Sequence, residues 1–566
     1  MNPTVALPNL LRSVVGRRYV LTNPSATARF RYGYRTGSGP ALAVVRPGDL
    51  VELWRVAEIC VEANVSIIIQ ASNTGLTGGS TPSGDNYPGG IVIVSTTRLK
   101  GLHLLQGGRQ VVCLPGTTLN ELERALEPLG REPHSVIGSS CLGASVIGGV
   151  CNNSGGSLIQ RGPAYTQLAL FGMIDEAGSL CLVNHLGIEL GREPEDILRR
   201  LDAGMFSAGD VDSCEDRWAH DRAYCDHVRD IDSNSPARFN ADARRLFEAA
   251  GSAGKLIVFA VRLDSFPKET GAVTFYLGCN APSTLTELRR TILSNFKRLP
   301  ISGEYIHRTA FDIADLYGKD MFAAIRWFGT ARLPYLFAAK ARVDAWTKRL
   351  SLLGPHLSDR LMQQIGRLLP DHLPPRMRDF RHRFEHHLIL KMPEAEAANT
   401  RALLTEQCAD VSSDFFECTS QESESAFLHR FVTAGAAVRY RAIHTEEVED
   451  IIALDIALPR NTWDWVETLP SSIAVGITHV LYYGHFFCHV FHQDYIVQKG
   501  VDPLELEHLM WRMLDARGAQ YPAEHNVGQV YHAKPSLAAF YRELDPCNQL
   551  NPGIGNTSRD RCWGGR

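Results

Sequence analysis

No apolar stretch in the 566 residues approaches the roughly 20 needed to cross a bilayer, so any membrane contact has to be peripheral. The N-terminal MNPTVALPNLLRSVVGRR has neither the apolar core nor the small-residue cleavage site of a secretory signal, and export is not expected. The 13 cysteines are scattered, without a CxxC pair or a regular spacing, which argues against a disulfide scaffold or a zinc site and for reduced thiols in a cytosolic setting. An excess of one charge is lacking too. A net charge of -4 gives no overall basic field, so nucleic acid is not an expected partner. Neither GxGxxG nor GxxxxGKS/T occurs, and the nearest imitation, Gly251 to Leu256, lacks the spacing and the hydroxyl; NAD and ATP lose ground. There is no internal repeat and no low-complexity tract.

What is present is the composition of an ordinary globular protein, 44% hydrophobic and 21% charged, at a length that implies two or three domains or one domain with a large inserted cap. Its character changes around Ser265 and around Met392. Over 41–263, short β-rich runs (ALAVV, SIIIQ, GIVIVS, QVVCL, KLIVFAVRL) alternate with helical stretches at 50–63 and 118–129, an α/β or α+β pattern. Over 325–391, Lys and Arg outnumber Asp and Glu more than two to one, with Trp, Phe and Leu interleaved. That is the makeup of a basic amphipathic surface suited to anionic headgroups, or of a solvated helical face folded against its neighbour. The stretch 392–514 mixes strand-like runs (AAVRYRAIH, SIAVGITHVLYYGHFF) with helices, and 520–555 is dense in Gly, Pro and Asn, as loops lining a site would be.

Ile69 to Ser80 (IQASNTGLTGGS) follows a strand and is crowded with small residues. Successive unobstructed N–H groups in such a loop form a concave anion site that suits a pyrophosphate, with Thr and Ser hydroxyls as further donors; a plain surface turn is the other reading. A second loop of this kind, Gly138 to Gly156, follows the turn Pro115-Gly116. Two of them in one domain suggest a large, extended ligand.

The succession VVRP at Val44 to Pro47, QASNTGLTGGS, LPGTTLNEL, IGSSCLGASVIGGVCNNSGG and RGPAY at Arg161 is similar to the FAD-binding domain of the vanillyl-alcohol-oxidase and p-cresol-methylhydroxylase superfamily. With its later segments, the chain as far as Asn556 resembles the bacterial respiratory, quinone-dependent D-lactate dehydrogenases, which are peripheral inner-membrane flavoproteins. The resemblance implies an α+β architecture: a two-subdomain FAD-binding domain over 1–264 (flavin core about 37–208), an α+β cap over 265–306 and 384–514, a basic helical membrane-binding insertion over 307–383, and a C-terminal return to the FAD domain over 515–566. It further implies that Ala71, Ser72, Asn73, Thr74, Gly75, Gly79 and Ser80 hold the FAD pyrophosphate region, that Gly138, Ser145 and Gly155 line the cofactor further along, and that Val258 touches it through backbone. By residue type alone Val258 is core. His134 is the one candidate near the loops for covalent flavin attachment. Next to Pro133 it reads as a turn residue, and the resembling branch binds FAD non-covalently.

Oxidising a 2-hydroxy acid needs a cation for the carboxylate, a base for the hydroxyl proton and a hydride acceptor at the α-carbon. FAD would be the acceptor, at N5. His525 in AEHNVG follows a carboxylate and resembles the EHG-type catalytic histidine of FAD-linked 2-hydroxy acid dehydrogenases, with Asn526 in place of the glycine. His485 and His492 lie seven apart, and in metal-dependent members such a pair binds a divalent metal together with the glutamate before the catalytic histidine, here Glu524. Related enzymes have a Gly-Asp-Gly-Asn turn where this chain has aromatic residues and cysteine, so the metal stays open, with hydrogen bonding of His485 and His492 to substrate or flavin as the other reading. Arg430 aligns best with the substrate arginine, ahead of Arg308 and Arg439.

The function implied is FAD-dependent oxidation of D-lactate to pyruvate with electrons passed to a membrane quinone, on the cytoplasmic side of the inner membrane. The insertion would rest on an anionic surface, and no obligate protein partner is expected. Two other readings stay open: a dehydrogenase or oxidase of the same family for another D-2-hydroxy acid or acceptor, and a redox-inactive membrane scaffold.

Overall fold

Short runs of Val and Ile, buried on both sides, build the first sheet of the computed structural model, which describes residues 3–134, 143–329, 357–409 and 411–564. The sheet order is Val20–Leu21, Ala43–Val45, Ile91–Ser95, Ser66–Gln70. The last three strands are parallel and the first is antiparallel. Burial on both faces is what parallel strands need. Val45, Ile67 and Val92 pack toward the helix Leu50–Glu62, while Val44, Ile68 and Ile93 meet Phe30 and Tyr87. That helix starts at Asp49, whose side chain accepts the Glu52 amide at 2.7 Å. A second, antiparallel sheet holds Leu102–Leu105, Gln110–Cys113, Ile257–Asp264, Ala169–Ile174 and Leu180–Asn184 in that order. The runs read as strands over 41–263 are all strands, in an α+β arrangement.

A seven-stranded antiparallel sheet follows, in the order Ser413–Glu417, Ala272–Cys279, His386–Pro393, Ser302–His307, Ile477–His485, Val490–Gln498, Val448–Ala457. One face packs on Tyr305, Trp465, Phe486 and Phe491. The other packs on the helices Arg308–Tyr317, Ser420–Phe431 and Thr433–Ile443 through Ile306, Tyr483 and Ile496. Side chains alternate along a strand, so Glu304, His485 and His492 lie on this second face. The chain then returns to the first sheet: the Ile67 amide donates to the Gln549 carbonyl at 2.9 Å, and the Asn551 amide to the Ile67 carbonyl at 2.8 Å.

Three readings of the sequence need correction. AAVRYRAIH is not a strand but part of the helix Thr433–Ile443, in which Thr433, Ala436, Ala437 and Tyr440 are buried at helical spacing. The alanines favour helix and outweigh the β-preferring Val438 and Tyr440. In SIAVGITHVLYYGHFF the strand begins only at Ile477, after a helical turn at Ser471–Ala474. The compositional change at Met392 falls inside the strand His386–Pro393 and is no boundary.

Within 307–383 the described residues form the helices Arg308–Tyr317, Lys319–Phe328, Leu357–Leu368 and Pro375–Arg383; 330–356 lies outside them. The arginine count overstates the free charge. Arg376 pairs with Glu422, Arg378 with Asp315 and Asp371, Arg381 with Asp312, and Arg383 with Asp414. Leu357–Leu368 is amphipathic in the inverted sense: Ser358, Gln363 and Gly366 are buried, whereas Leu357, Leu361, Ile365 and Leu368 are exposed. Among the described residues no helix is long and apolar enough to cross a membrane.

Candidate active site

The two glycine-rich loops meet. Ser72 Oγ donates to the Gly143 carbonyl, joining the first loop to the second. Asn73, at φ +56°, reaches the Tyr32 carbonyl at 2.9 Å and accepts Ser80 Oγ at 3.2 Å. Ser145 caps the helix Val146–Cys151. A Cβ on Gly75 or Gly143 would meet no atom within 4 Å, so open space lies over both loops. Ala71, Ser72, Asn73, Thr74, Gly75, Gly79 and Ser80 share the first loop and Ser145 the second, and the open space over Gly75 and Gly143 fits an extended cofactor such as FAD, whereas Gly79 and Gly155 back onto Asn526 and Glu524. Val258 is buried below, against Val146 and Val150. Gly138 lies outside the described residues. His134 is buried, with no hydrogen-bond partner for either ring nitrogen among the described residues.

The histidine-bearing loop is wedged between these two. A Cβ on Gly79 would lie 2.5 Å from Asn526 Nδ2, one on Gly155 2.2 Å from Glu524 Oε1, and one on Gly528 2.2 Å from the Thr77 carbonyl oxygen. Asn526 Nδ2 donates to Asn152 Oδ1 at 2.6 Å, and Thr77 Oγ1 to the Asn526 carbonyl at 2.9 Å. Glycine is required where backbone and carboxylate come this close.

A buried chain of alternating charge runs from this loop into the cap. Arg238 lies 2.5 Å from Glu524, Glu524 Oε2 3.3 Å from His485 Nε2, His485 Nδ1 2.7 Å from Glu304 Oε1, and Glu304 Oε2 3.2 Å from Arg430 Nη2. Burial disfavours charge on each member, but the neighbours reverse the outcome. Burial alone would discharge His485, yet Glu304 and Glu524 push its pKa up to about 10. Burial would raise Glu524 and Glu304; Arg238 and His485 hold the first far below the carboxylate range, and His485 with Arg430 lower the second. Arg430 also lies over the Tyr483 ring at 4.5 Å, and its Nε is buried without a hydrogen-bond partner among the described residues. The fallback arginines are engaged elsewhere, Arg308 with Glu385 and Arg439 with Asp320 and Asp359.

His525 stands at the end of this cluster, its ring stacked 6.0 Å from that of His492, which is 5.5 Å from that of His485. Asp455 serves two of these rings, 3.2 Å from His525 Nδ1 and 3.5 Å from His492 Nδ1. Burial, then the charge of His485, holds His492 well below its usual pKa, so it is neutral. His485, His492 and Glu524 each present a ligand atom within 4.8 Å of the others. Each histidine has a carboxylate at Nδ1, which is the outer support metal-binding histidines use, and the set fits a divalent ion that would displace the Nε2 proton of His485. Glu304, Asp455 and Arg238 were not found from sequence. They come from distant segments and carry no motif.

A family described as "D-lactate dehydrogenase, membrane binding" matches residues 274–563, and one described as "FAD binding domain" matches 41–183. Quinone-dependent D-lactate dehydrogenase of Escherichia coli (strain K12) is 56% identical over 558 residues, 99% of this chain and 98% of that protein. The protein of the same name from Haemophilus influenzae (strain ATCC 51907 / DSM 11121 / KW20 / Rd) is 56% identical over 555 residues, 98% of each. Among solved structures, p-cresol methylhydroxylase with substrate bound superposes with a TM-score of 0.56 at 11% identity, covering 98% of this chain and 97% of that one. This last likeness concerns the fold alone.

Proposed function

The chain belongs to the membrane-binding D-lactate dehydrogenase family, and from that premise we propose that it oxidises D-lactate to pyruvate with FAD as cofactor and delivers the electrons to a quinone in the membrane. The observation that carries the substrate class is Arg430: a buried guanidinium, oriented by Glu304 and Tyr483, with an Nε–H left over beside the histidine cluster. A small carboxylate satisfies that donor.

Arg430 binds the substrate carboxylate. His525, its Nδ1 held by Asp455, takes the hydroxyl proton at Nε2. The α-hydrogen leaves with its electron pair, for which FAD supplies the acceptor. A divalent ion held by His485, His492 and Glu524 would polarise the hydroxyl and ease its deprotonation. The loop 523–528, closed between the two glycine loops, keeps water from the reacting carbon. Membrane contact is assigned to the insertion, through the exposed Trp327, Phe328, Leu361, Ile365 and Leu368, on the anionic cytoplasmic face of the inner membrane.

The test is anaerobic mixing of the purified flavoprotein with D- and L-2-hydroxy acids, following the visible absorbance with and without chelator. Bleaching by D-lactate and not by L-lactate is expected, slowed by the chelator. No bleaching by D-lactate refutes the substrate, and indifference to the chelator refutes the metal.

A further inference from the structure

Glu304 sits in the strand Ser302–His307, directly across from His485 in the neighbouring strand. It is buried, and a buried carboxylate persists only with partners. Its partners are two functional groups at once: Oε1 lies 2.7 Å from His485 Nδ1 and Oε2 3.2 Å from Arg430 Nη2. The first contact fixes the ring of His485 so that Nε2 faces Glu524. The second fixes the edge of a guanidinium whose plane already rests on Tyr483, itself anchored by a 2.6 Å hydrogen bond to Asp494. Helix Ser420–Phe431 and strand Ile477–His485 deliver these two groups from separate elements, and Glu304 is the carboxylate that bridges them.

We propose that Glu304 is the positioning residue that locks the carboxylate-binding group Arg430 to the hydroxyl-side group His485 at one separation, and so sets the site for acids whose hydroxyl and carboxylate are on adjacent carbons. The inference rests on the 2-hydroxy acid reading above. A plain counterion would neutralise both cations without coupling them. A clamp makes the ligand affinity contributed by Arg430 depend on Glu304.

The test uses the FAD-loaded enzyme and oxalate, a planar dianion with oxygens on adjacent carbons, whose binding is read from the perturbation of the flavin spectrum without turnover. Glu304→Gln, Arg430→Lys and the double variant form a cycle. Glu304→Gln is expected to weaken oxalate by about tenfold or more and to lower kcat more than it raises KM for D-lactate, with Glu304→Asp in between. The double variant is expected to bind oxalate no worse than Arg430→Lys alone. Additive losses, or an oxalate Kd for Glu304→Gln unchanged from wild type, overturn the proposal. Should Glu304→Gln not retain FAD, Glu304→Asp decides by the same cycle. The parent reading fails separately, when wild-type enzyme that binds oxalate is not bleached by D-lactate.

Discussion

Asp455 Oδ2 lies 3.2 Å from His525 Nδ1 and on the same oxygen accepts the backbone amides of Glu524 and His525, at 2.7 and 2.9 Å. One buried carboxylate thus fixes both the path of the loop and the ring it carries. With Nδ1 engaged, Nε2 is the nitrogen available to take a proton. His525→Asn is expected to keep FAD and the fold but to slow flavin reduction by D-lactate by about 10²–10⁴-fold, the usual worth of a general base. Asp455→Asn leaves the base in place but loosens it, and a loss of about 10–100-fold is expected. Stopped-flow reduction measures both. A His525→Asn protein reduced at the wild-type rate would remove His525 from the mechanism.

Glycine substitutions separate the cradle from the wedge. At Gly75 an added Cβ meets nothing within 4 Å, whereas at Gly528, with φ +57°, it would lie 2.2 Å from the Thr77 carbonyl oxygen. Gly75→Ala is expected to leave the melting temperature of the apoprotein unchanged and to weaken FAD binding. Gly528→Ala combines backbone strain with a clash and should cost about 1–3 kcal/mol of stability before any cofactor is added. Thermal unfolding with and without FAD distinguishes them, and equal melting temperatures for the two apoproteins would refute the wedge.

How much of this was legible in the sequence differs by residue. Five strands of the first two sheets are readable because continuous Val and Ile runs have few other uses, whereas Val20–Leu21, Leu102–Leu105, Ala169–Ile174 and Leu180–Asn184 carry no such run, and His485, His492, Glu524, His525 and Arg430 can be named from resemblance. Spacing brings none of them together. That requires Glu304 and Asp455, single acidic residues in strands far apart in the chain, recognisable only once the sheet register places them beside histidines. Within the basic block 325–391, the pairing of the arginines over 375–383 is hidden for the same reason, since their carboxylate partners lie up to 69 residues away, as Asp312 does from Arg381.

Acid should loosen the helical side of the cap. His387 and His429 are buried, neither ring has a hydrogen-bond partner among the described residues, and His429 lies 4.2 Å from the Phe311 ring. Burial first, then neighbouring histidines, push both pKa values down to about 3. Between the unfolded value of about 6.5 and that level, the unfolded chain binds protons that the folded one refuses, so stability falls as pH falls, by about 1.4 kcal/mol per pH unit for each histidine. The stability is fully present above pH ~6.5. His429→Gln is therefore expected to flatten the decline of urea-unfolding free energy between pH 6.5 and 4. A slope unchanged by that substitution would show that His429 takes up its proton in the folded protein as readily as in the unfolded chain, and would overturn the burial argument.

The inverted helix makes the sharpest case for how the protein meets a membrane. Leu361 is 60% and Leu368 86% exposed, on the same stripe as Leu357 and Ile365, while the side facing the protein carries Ser358, Gln363 and Asp359, the last paired with Arg439. An isolated exposed leucine means little, but a stripe that turns its apolar side outward has no stabilising role in water and a large one at a lipid interface. Arg360 and Arg367 flank the stripe with no ion-pair partner among the described residues, so anionic lipid adds about 1 kcal/mol each at low salt. If charge dominated, raised salt would release the protein from vesicles; if the apolar stripe dominates, it would not. Co-sedimentation with phosphatidylglycerol-containing vesicles is expected to be only partly reduced by salt and to be lost in Leu361→Asp/Leu368→Asp, with D-lactate-driven reduction of a soluble dye unchanged. Full release by salt, or undiminished sedimentation of the double variant, would transfer membrane binding away from this helix.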